Sequence, residues 1–239
     1  MAVKVNGYKI NAGADLSGAD LSNTNLTEAD LSGAYMAGTD MRGANLTGAN
    51  LAWADLFDAN LSGANLTGTN LKHANLLVTN LTGANLTEAN LTQTEVTKTI
   101  LVSADLRGAN LTGAKLIQAI LVGADLRGAN LTDAKLIDGY TDFTGANLRA
   151  ANLTGIAGTA YLREADLTGA KLIGAKLALS NLMFANLFAA DLTGVNLYMA
   201  DMRGAKLYKA NLTSANLTEA NLTFATLTGA TMPDGAIHD

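Results

Sequence analysis

Large apolar residues return at every fifth position along most of this chain. From Leu16 to Leu136 the step is unbroken, and these centres are leucine except at Met36, Met41 and Val96. Two positions before each centre stands a small residue, mostly alanine and sometimes threonine, as at Thr39, Thr69, Thr79, Thr94 and Thr99. The position before the centre is mostly Asn or Asp, the one after mostly Thr, Ser or Arg, and the next is often Gly. An α-helix cannot keep this pattern on one face. Five residues advance it by about 500°, so successive leucines would wind around the axis. The frequent Asn, Thr and Gly also disfavour a helix. Extended backbone does accommodate the pattern, because alternation puts the centre and the small residue on one side and their neighbours on the other.

A second period is nested in the first. Ala104–Ile117 recurs almost letter for letter as Ala124–Ile137, twenty residues on. Five residues per side and four sides per turn describe a square coil, and stacked coils describe a solenoid. The expected fold class is therefore all-β, a four-sided β-helix. The number of centres predicts about eleven coils, which at ~4.8 Å per stacked strand makes a rod about 50 Å long. So narrow a coil leaves no room for a second large side chain at the small-residue position, where Val195 is expected to be the largest occupant.

The register slips twice. After Leu136 the next centre is Phe143, then Leu148 and Leu153. The following one is Leu162, and the five-residue step then runs on to Met232. Residues 137–142 and 154–161 are expected to be bulges or short loops at corners. Residues 3–10 alternate around Asn6-Gly7, a strong hairpin signal, so 1–13 read as a cap over the exposed first coil. The array occupies Ala14–Met232. Pro233 and Asp234-Gly235 favour a turn, so 233–239 read as a closing tail.

Charge and composition narrow the functional classes. The formal charge of −5, from 21 acidic and 16 basic residues, is too mild to call for nucleic acid or a membrane surface. There are no cysteines, which excludes disulfides and thiolate metal sites. No apolar run approaches the ~20 residues of a membrane span, and the start lacks the core of a signal peptide. A cytoplasmic protein is expected. The two histidines, His73 and His238, have no second histidine or cysteine near them in sequence, so neither a catalytic triad nor a zinc site is supported. A leucine-packed coil offers no pocket of size. The chain is expected to be no enzyme and to need no cofactor or metal.

What remains is surface. Phe57, Leu77, Ile117 and Ile137 each follow a centre and share one face by the twenty-residue count. Ile100, Val102, Ile120 and Val122 fall on the next face. Phe184, Phe188, Tyr198 and Tyr208 decorate the last third, and Trp53 sits at a corner. Contiguous exposed apolar residues mark contact surfaces, so these are the candidates for binding a protein partner or for weak self-association. Charge is uneven. Asp15, Asp20, Glu28, Asp30, Asp40, Asp55 and Asp58 stand against Arg42 alone within 14–58, an acidic patch that would steer a basic partner to the first third. Asp105 and Asp125 should stack in one column, each beside an arginine two residues on.

Units such as Ala14-Asp15-Leu16-Ser17-Gly18 and Ala44-Asn45-Leu46-Thr47-Gly48 resemble the pentapeptide repeat, alanine then Asp or Asn then leucine then two variable positions. The resemblance covers about Ala14–Met232 and is closest to cyanobacterial members. It implies a right-handed, four-sided β-helix with leucine and the small residue inward. It also implies two functional classes: a structural or protein-interaction scaffold, or, as the alternative, a mimic of duplex DNA that occupies the DNA-binding groove of gyrase or topoisomerase. Direct binding of nucleic acid and membrane association are not expected. Lysines at Lys115, Lys135, Lys171, Lys176 and Lys206 depart from the usual Asn or Asp and alter only the surface.

Overall fold

The turn between five-residue sides is built by the residues flanking each centre. An Asn or Asp before the centre accepts, through Oδ1, the backbone N–H two residues on. Thr47 N–H reaches Asn45 at 3.1 Å and Ser62 N–H reaches Asn60 at 3.1 Å. This Asx-turn starts the corner, and the threonine hydroxyl often adds a bond to the same oxygen, as Thr47 does at 2.6 Å. The residue two after the centre then takes φ near +60°, at Gly48 as at Val78. The preferences for Asn, Thr and Gly around the leucine are thus one piece of turn chemistry, repeated.

The computed structural model describes the backbone of residues 3–239, and their side chains except those of Val3 and residues 137–139. Each residue before a centre pairs in parallel with the one twenty positions on. Asp15 pairs with Tyr35, Asp20 with Asp40, Asn25 with Asn45 and Asp30 with Asn50, which start four ladders that run the length of the array. These are referred to below as the first to fourth ladders. Leu16 N–H donates to Tyr35 O at 2.7 Å and Tyr35 N–H donates back to Ala14 O at 2.9 Å, so successive coils are joined in both directions. Inside, leucines and alanines form one continuous core: Leu106, Ala109, Leu111 and Ala114 expose nothing. Each buried leucine contributes roughly 1.5–3 kcal/mol, and five ordered residues cost more than that in entropy, so a coil is stable only against its neighbours. Threonines in the alanine column solve their own burial. Thr39 Oγ1 donates to Leu16 O at 2.9 Å and Thr94 Oγ1 to Leu71 O at 2.9 Å, one coil back.

The two register slips occupy the same corner of consecutive coils, between the first and second ladders. Pairing shifts from twenty residues to twenty-two at Ile120–Asp142 and then to nineteen at Asn147–Asp166. The first slip is an insertion and the second a deletion. The insertion is a bulge-like irregularity in a paired strand, one of the two forms expected; the deletion is neither a bulge nor a loop. Following β1 and β2 of the amino-terminal hairpin (Val3–Val5 and Tyr8–Ile10), β3 runs over Lys135–Asp142 and β4 over Ala157–Tyr161, paired in parallel with an irregularity between Leu136 and Thr141. The deletion hides a centre. Gly158 N–H donates to Lys176 O at 3.0 Å, the bond that centres make to the next coil, as Leu153 does to Lys171 O. Gly158 therefore stands where leucine would, and Ile156, fully buried, stands where alanine would. The large and small positions are exchanged on this one side, and Ile156, not Val195, is the largest occupant of the small-residue column.

The ends differ. At the start, Asn6 and Gly7 take φ of 51° and 86° and join β1 to β2 in antiparallel register, with Val5 against Tyr8. Ile10 is buried there, and Asn6 Nδ2 reaches Asp20 O at 3.2 Å. At the finish, Ile237 pairs antiparallel with Thr231, and Gly229 N–H donates to His238 O at 2.7 Å. That fold-back lies along the fourth ladder. Leu217, Leu222 and Leu227, on the other three, are left half-buried.

Val78 is the least suitable occupant of a left-handed corner, being β-branched at φ 61° with its side chain exposed. Left-handed backbone costs an L-residue about 1–2 kcal/mol, against about 0.5–1 kcal/mol of extra entropy for glycine. Val78→Gly is expected to stabilise the protein by about 0.5–1 kcal/mol and raise the melting temperature by about 2 °C. A thermal melt with no rise or a fall would contradict the strain argument.

Candidate interaction surfaces

The core is filled with leucine and alanine, so the candidate surfaces lie on the outside of the coils. One cleft of about 260 Å³ lies between the hairpin and the first coil, lined by Val5, Ile10, Leu26 and Ala29 with Asn25 to Asp30 along its edge. It is smaller than most ligand pockets. Among the described residues no group of three or more His, Asp or Glu side chains is placed to hold a metal ion. His73 stacks on Trp53 with ring centroids 4.0 Å apart, both at left-handed corners one coil apart.

The second ladder carries a flat apolar area at mid-length. Ile100 pairs with Ile120, so these two are adjacent rungs, and Val102 and Val122 lie on the same rungs one residue past the centres. Ile120 is exposed, whereas Ile100, Val102 and Val122 are half-buried by their neighbours. The insertion extends this area. Tyr140, 57% exposed, stacks on Tyr161 with centroids 4.9 Å apart and planes 8° apart. Sequence reasoning did not find this pair, because the two lie twenty-one residues apart and meet only through the register shift. On the first ladder, Phe57 and Leu77 are adjacent, but Thr97 separates them from Ile117. The side chain of Ile137 lies outside the described residues.

The last third brings aromatics together around the corner between the second and third ladders. Phe188 and Tyr208 stack at 5.5 Å, and Lys209 Nζ lies 5.2 Å from the Tyr208 centroid. Phe184 occupies a left-handed corner four residues before Phe188, and its ring fills the space where a side chain at Gly204 would stand, 2.6 Å from that Cβ. Phe224 follows in the same corner column and is 90% exposed. Its place two after a centre, the position of Trp53 and Phe184, is the one signal of it that the sequence carries. Tyr198 is exposed elsewhere, on the first ladder, beside Met199.

The charged columns are less acidic in effect than in sequence. Arg42, Arg107, Arg127 and Arg203 each clasp the aspartate two residues before, at 2.6–2.7 Å. These arginines hold Asp40, Asp105, Asp125 and Asp201 below the usual carboxylate range. Asp105 and Asp125 are stacked rungs, as expected, and each carries its own cation. In the first third, Asp15 is lowered by the backbone N–H of Ser17, and Asp20 and Asp30 by the hydroxyls of Ser22 and Ser32. Asp55 accepts an amide bond from Asn75 at 2.8 Å.

Four parallel ladders of single bridges around a leucine core define a β-helix assembled from five-residue units. The matching family is the pentapeptide repeats, whose model fits eight copies over 12–97, 104–138 and 160–232. The chain belongs to that family, and membership implies the right-handed β-helix. Among solved structures it is similar to HetL, a pentapeptide repeat protein involved in heterocyst differentiation regulation from the cyanobacterium Nostoc sp. strain PCC 7120. The two are 38% identical over 90% of this chain and 92% of that one, with a TM-score of 0.47. Rfr23, from the cyanobacterium Cyanothece 51142, is 32% identical over 43% of this chain and 58% of its own, with a TM-score of 0.28. A trypsin-treated form of QnrB1, a plasmid-mediated fluoroquinolone resistance protein, is 18% identical over 88% and 89%, with a TM-score of 0.45. None of the curated proteins compared matches the chain.

Proposed function

We propose that the protein is a non-enzymatic scaffold, a four-sided rod of about eleven coils that binds a protein partner through the aromatic corner of its last third. The observation that carries this reading is the setting of Phe184 and Phe224. Both are exposed phenylalanines at left-handed φ, 58° and 61°. Left-handed corners recur along the whole array with many residue types, so what sets these two apart is the large apolar surface each leaves in water, 50% and 90% exposed, where glycine serves at Gly204. Exposed apolar surface of this kind marks a contact site. Phe188 and Tyr208 add stacked aromatic area beside it, the residue type that dominates binding energy at protein interfaces. Lys206 and Lys209 set a basic rim, which suits a partner with acidic groups around an apolar centre.

The duplex-mimic alternative lacks comparable support. Of the seven acids of the first third Asp40 is matched by Arg42, and uncharged rungs break up the others, Tyr35 between Asp15 and Asp55 and Asn50 after Asp30, so these columns form no uninterrupted phosphate-like row.

The test is affinity capture with the full chain from cells of its source organism, run beside a Phe188→Ser/Phe224→Ser variant whose circular dichroism is unchanged. A partner retained by the wild type and bound at least tenfold more weakly by the variant, in titration with the purified partner, is the expected result. Identical binding by both proteins would overturn the assignment of this corner.

A further inference from the structure

The second ladder joins an apolar middle to an Asp–Arg rung towards each end, and turned over on itself it meets its own complement. Two copies of one flat face can be related by a two-fold axis along the rod or by one across it. An axis along the rod keeps rung against rung and exchanges the column before the centres with the column after them. Asp40 then faces the partner's Arg42, and Asp201 faces the partner's Arg203. Ile100 and Ile120 face the partner's Val102 and the partner's Val122. The axis across the rod instead keeps each column on itself and reverses the rungs. It sets Asp40 near the partner's Asp201 and Arg42 near the partner's Arg203, which is repulsive at both places.

We propose that the protein forms a parallel, side-by-side dimer with a second copy of itself through the second ladder, the two-fold axis running along the rod. The apolar rungs lie at the middle of this ladder, flanked on either side by polar rungs and towards each end by an Asp–Arg rung. That is the layout of an interface with a dry centre and a polar rim. Both charges are already present: the side chains of Asp40 and Arg42 lie in the face with 30% and 59% of their surface exposed and bonded to each other. A face about 10 Å wide and about 50 Å long buries roughly 1,000 Å² in total, the lower bound for a specific pair. The dimer is therefore expected in the micromolar range. The face borders the aromatic corner proposed above along Phe184 and Phe224, but its apolar middle at Ile100 and Ile120 lies several rungs away and is tested there, so either proposal can fail alone.

The chain has no cysteine, so a single introduced one can be labelled cleanly. Sedimentation equilibrium from about 1 to 100 µM should show a reversible monomer–dimer equilibrium. Ile120→Lys should weaken it at least tenfold, and Phe188→Ser should leave it unchanged. A nitroxide at Ser22→Cys, on the first rung, reports the orientation. The parallel pair puts the two labels within about 25 Å, whereas the reversed pair separates them by about 50 Å, ten rungs of ~4.8 Å. A monomer at every concentration, a dimer indifferent to Ile120→Lys, or the long distance would each overturn the proposal.

Discussion

Gly158→Ala lowers stability by about 3–5 kcal/mol, expected as a fall in melting temperature of roughly 10 °C or more. The cause is local. Gly158 has φ of +131°, outside what an L-residue adopts, and a Cβ there would stand 2.5 Å from the carbonyl carbon of Leu136 and 2.7 Å from its oxygen. Those atoms belong to the backbone of the stacked coil, so no side-chain rotation relieves the contact. The control is Gly128→Ala, a left-handed corner glycine with nothing within 4 Å of the added carbon. It should cost only about 1–2 kcal/mol. The paired exchange of Ile156→Ala with Gly158→Leu, which writes the usual repeat order, should not rescue folding. The side from Gly158 to Leu162 is one residue short of a full side, so the backbone cannot return to the regular turn. Equal melting temperatures for Gly158→Ala and Gly128→Ala would refute this account of the slip.

The sequence pattern reached the core before the structure did, for a physical reason. A five-residue period with one large and one small apolar residue is incompatible with a helix, and a twenty-residue echo leaves little choice in how many sides a coil has. Inward positions such as Leu106 and Ala109 followed directly. Both slips are located by the pattern, but only the first has the form it suggests. A gap of nine between Leu153 and Leu162 looks like extra chain, yet against a ten-residue pair of sides it is a deletion. Glycine at a centre carries no hydrophobic signal, so Gly158 was invisible until its hydrogen bond to Lys176 placed it. The surface was legible only in part. Ile100 and Ile120 are twenty apart and could be stacked by arithmetic. Tyr140 and Tyr161 could not, because their contact depends on an insertion in one coil and a deletion in the next. Phe224 obeyed the arithmetic but offered no neighbour in sequence to draw attention to it.

The inside–outside division of the coil carries the second large effect. Ala109 is fully buried between Ala89 and Ala129 in the small-residue column, and Leu111 beside it is fully buried as well. A phenylalanine at Ala109 finds no void to enter, and the coils above and below are tied to it by hydrogen bonds such as Asn130 N–H to Ala109 O at 2.9 Å. Overpacking of this kind costs about 1–3 kcal/mol in cores that can shift, and here the coils stacked above and below leave little room to shift, so about 3 kcal/mol or more is expected for Ala109→Phe. Thr112→Phe, three residues on and on the outer side, loses the hydroxyl that donates to Asn110 and accepts from Asn130 and should cost about 1 kcal/mol. At about 2–4 °C per kcal/mol the two variants should melt roughly 4–8 °C apart. Because each coil contacts only its neighbours, the damage in Ala109→Phe should also be local. Amide exchange should quicken around residues 89–131 while the coils of the last third keep their protection. Equal melting of the two variants would mean that the alanine column does not face the interior. Uniform loss of protection along the whole rod would mean that its coils fold as one indivisible unit.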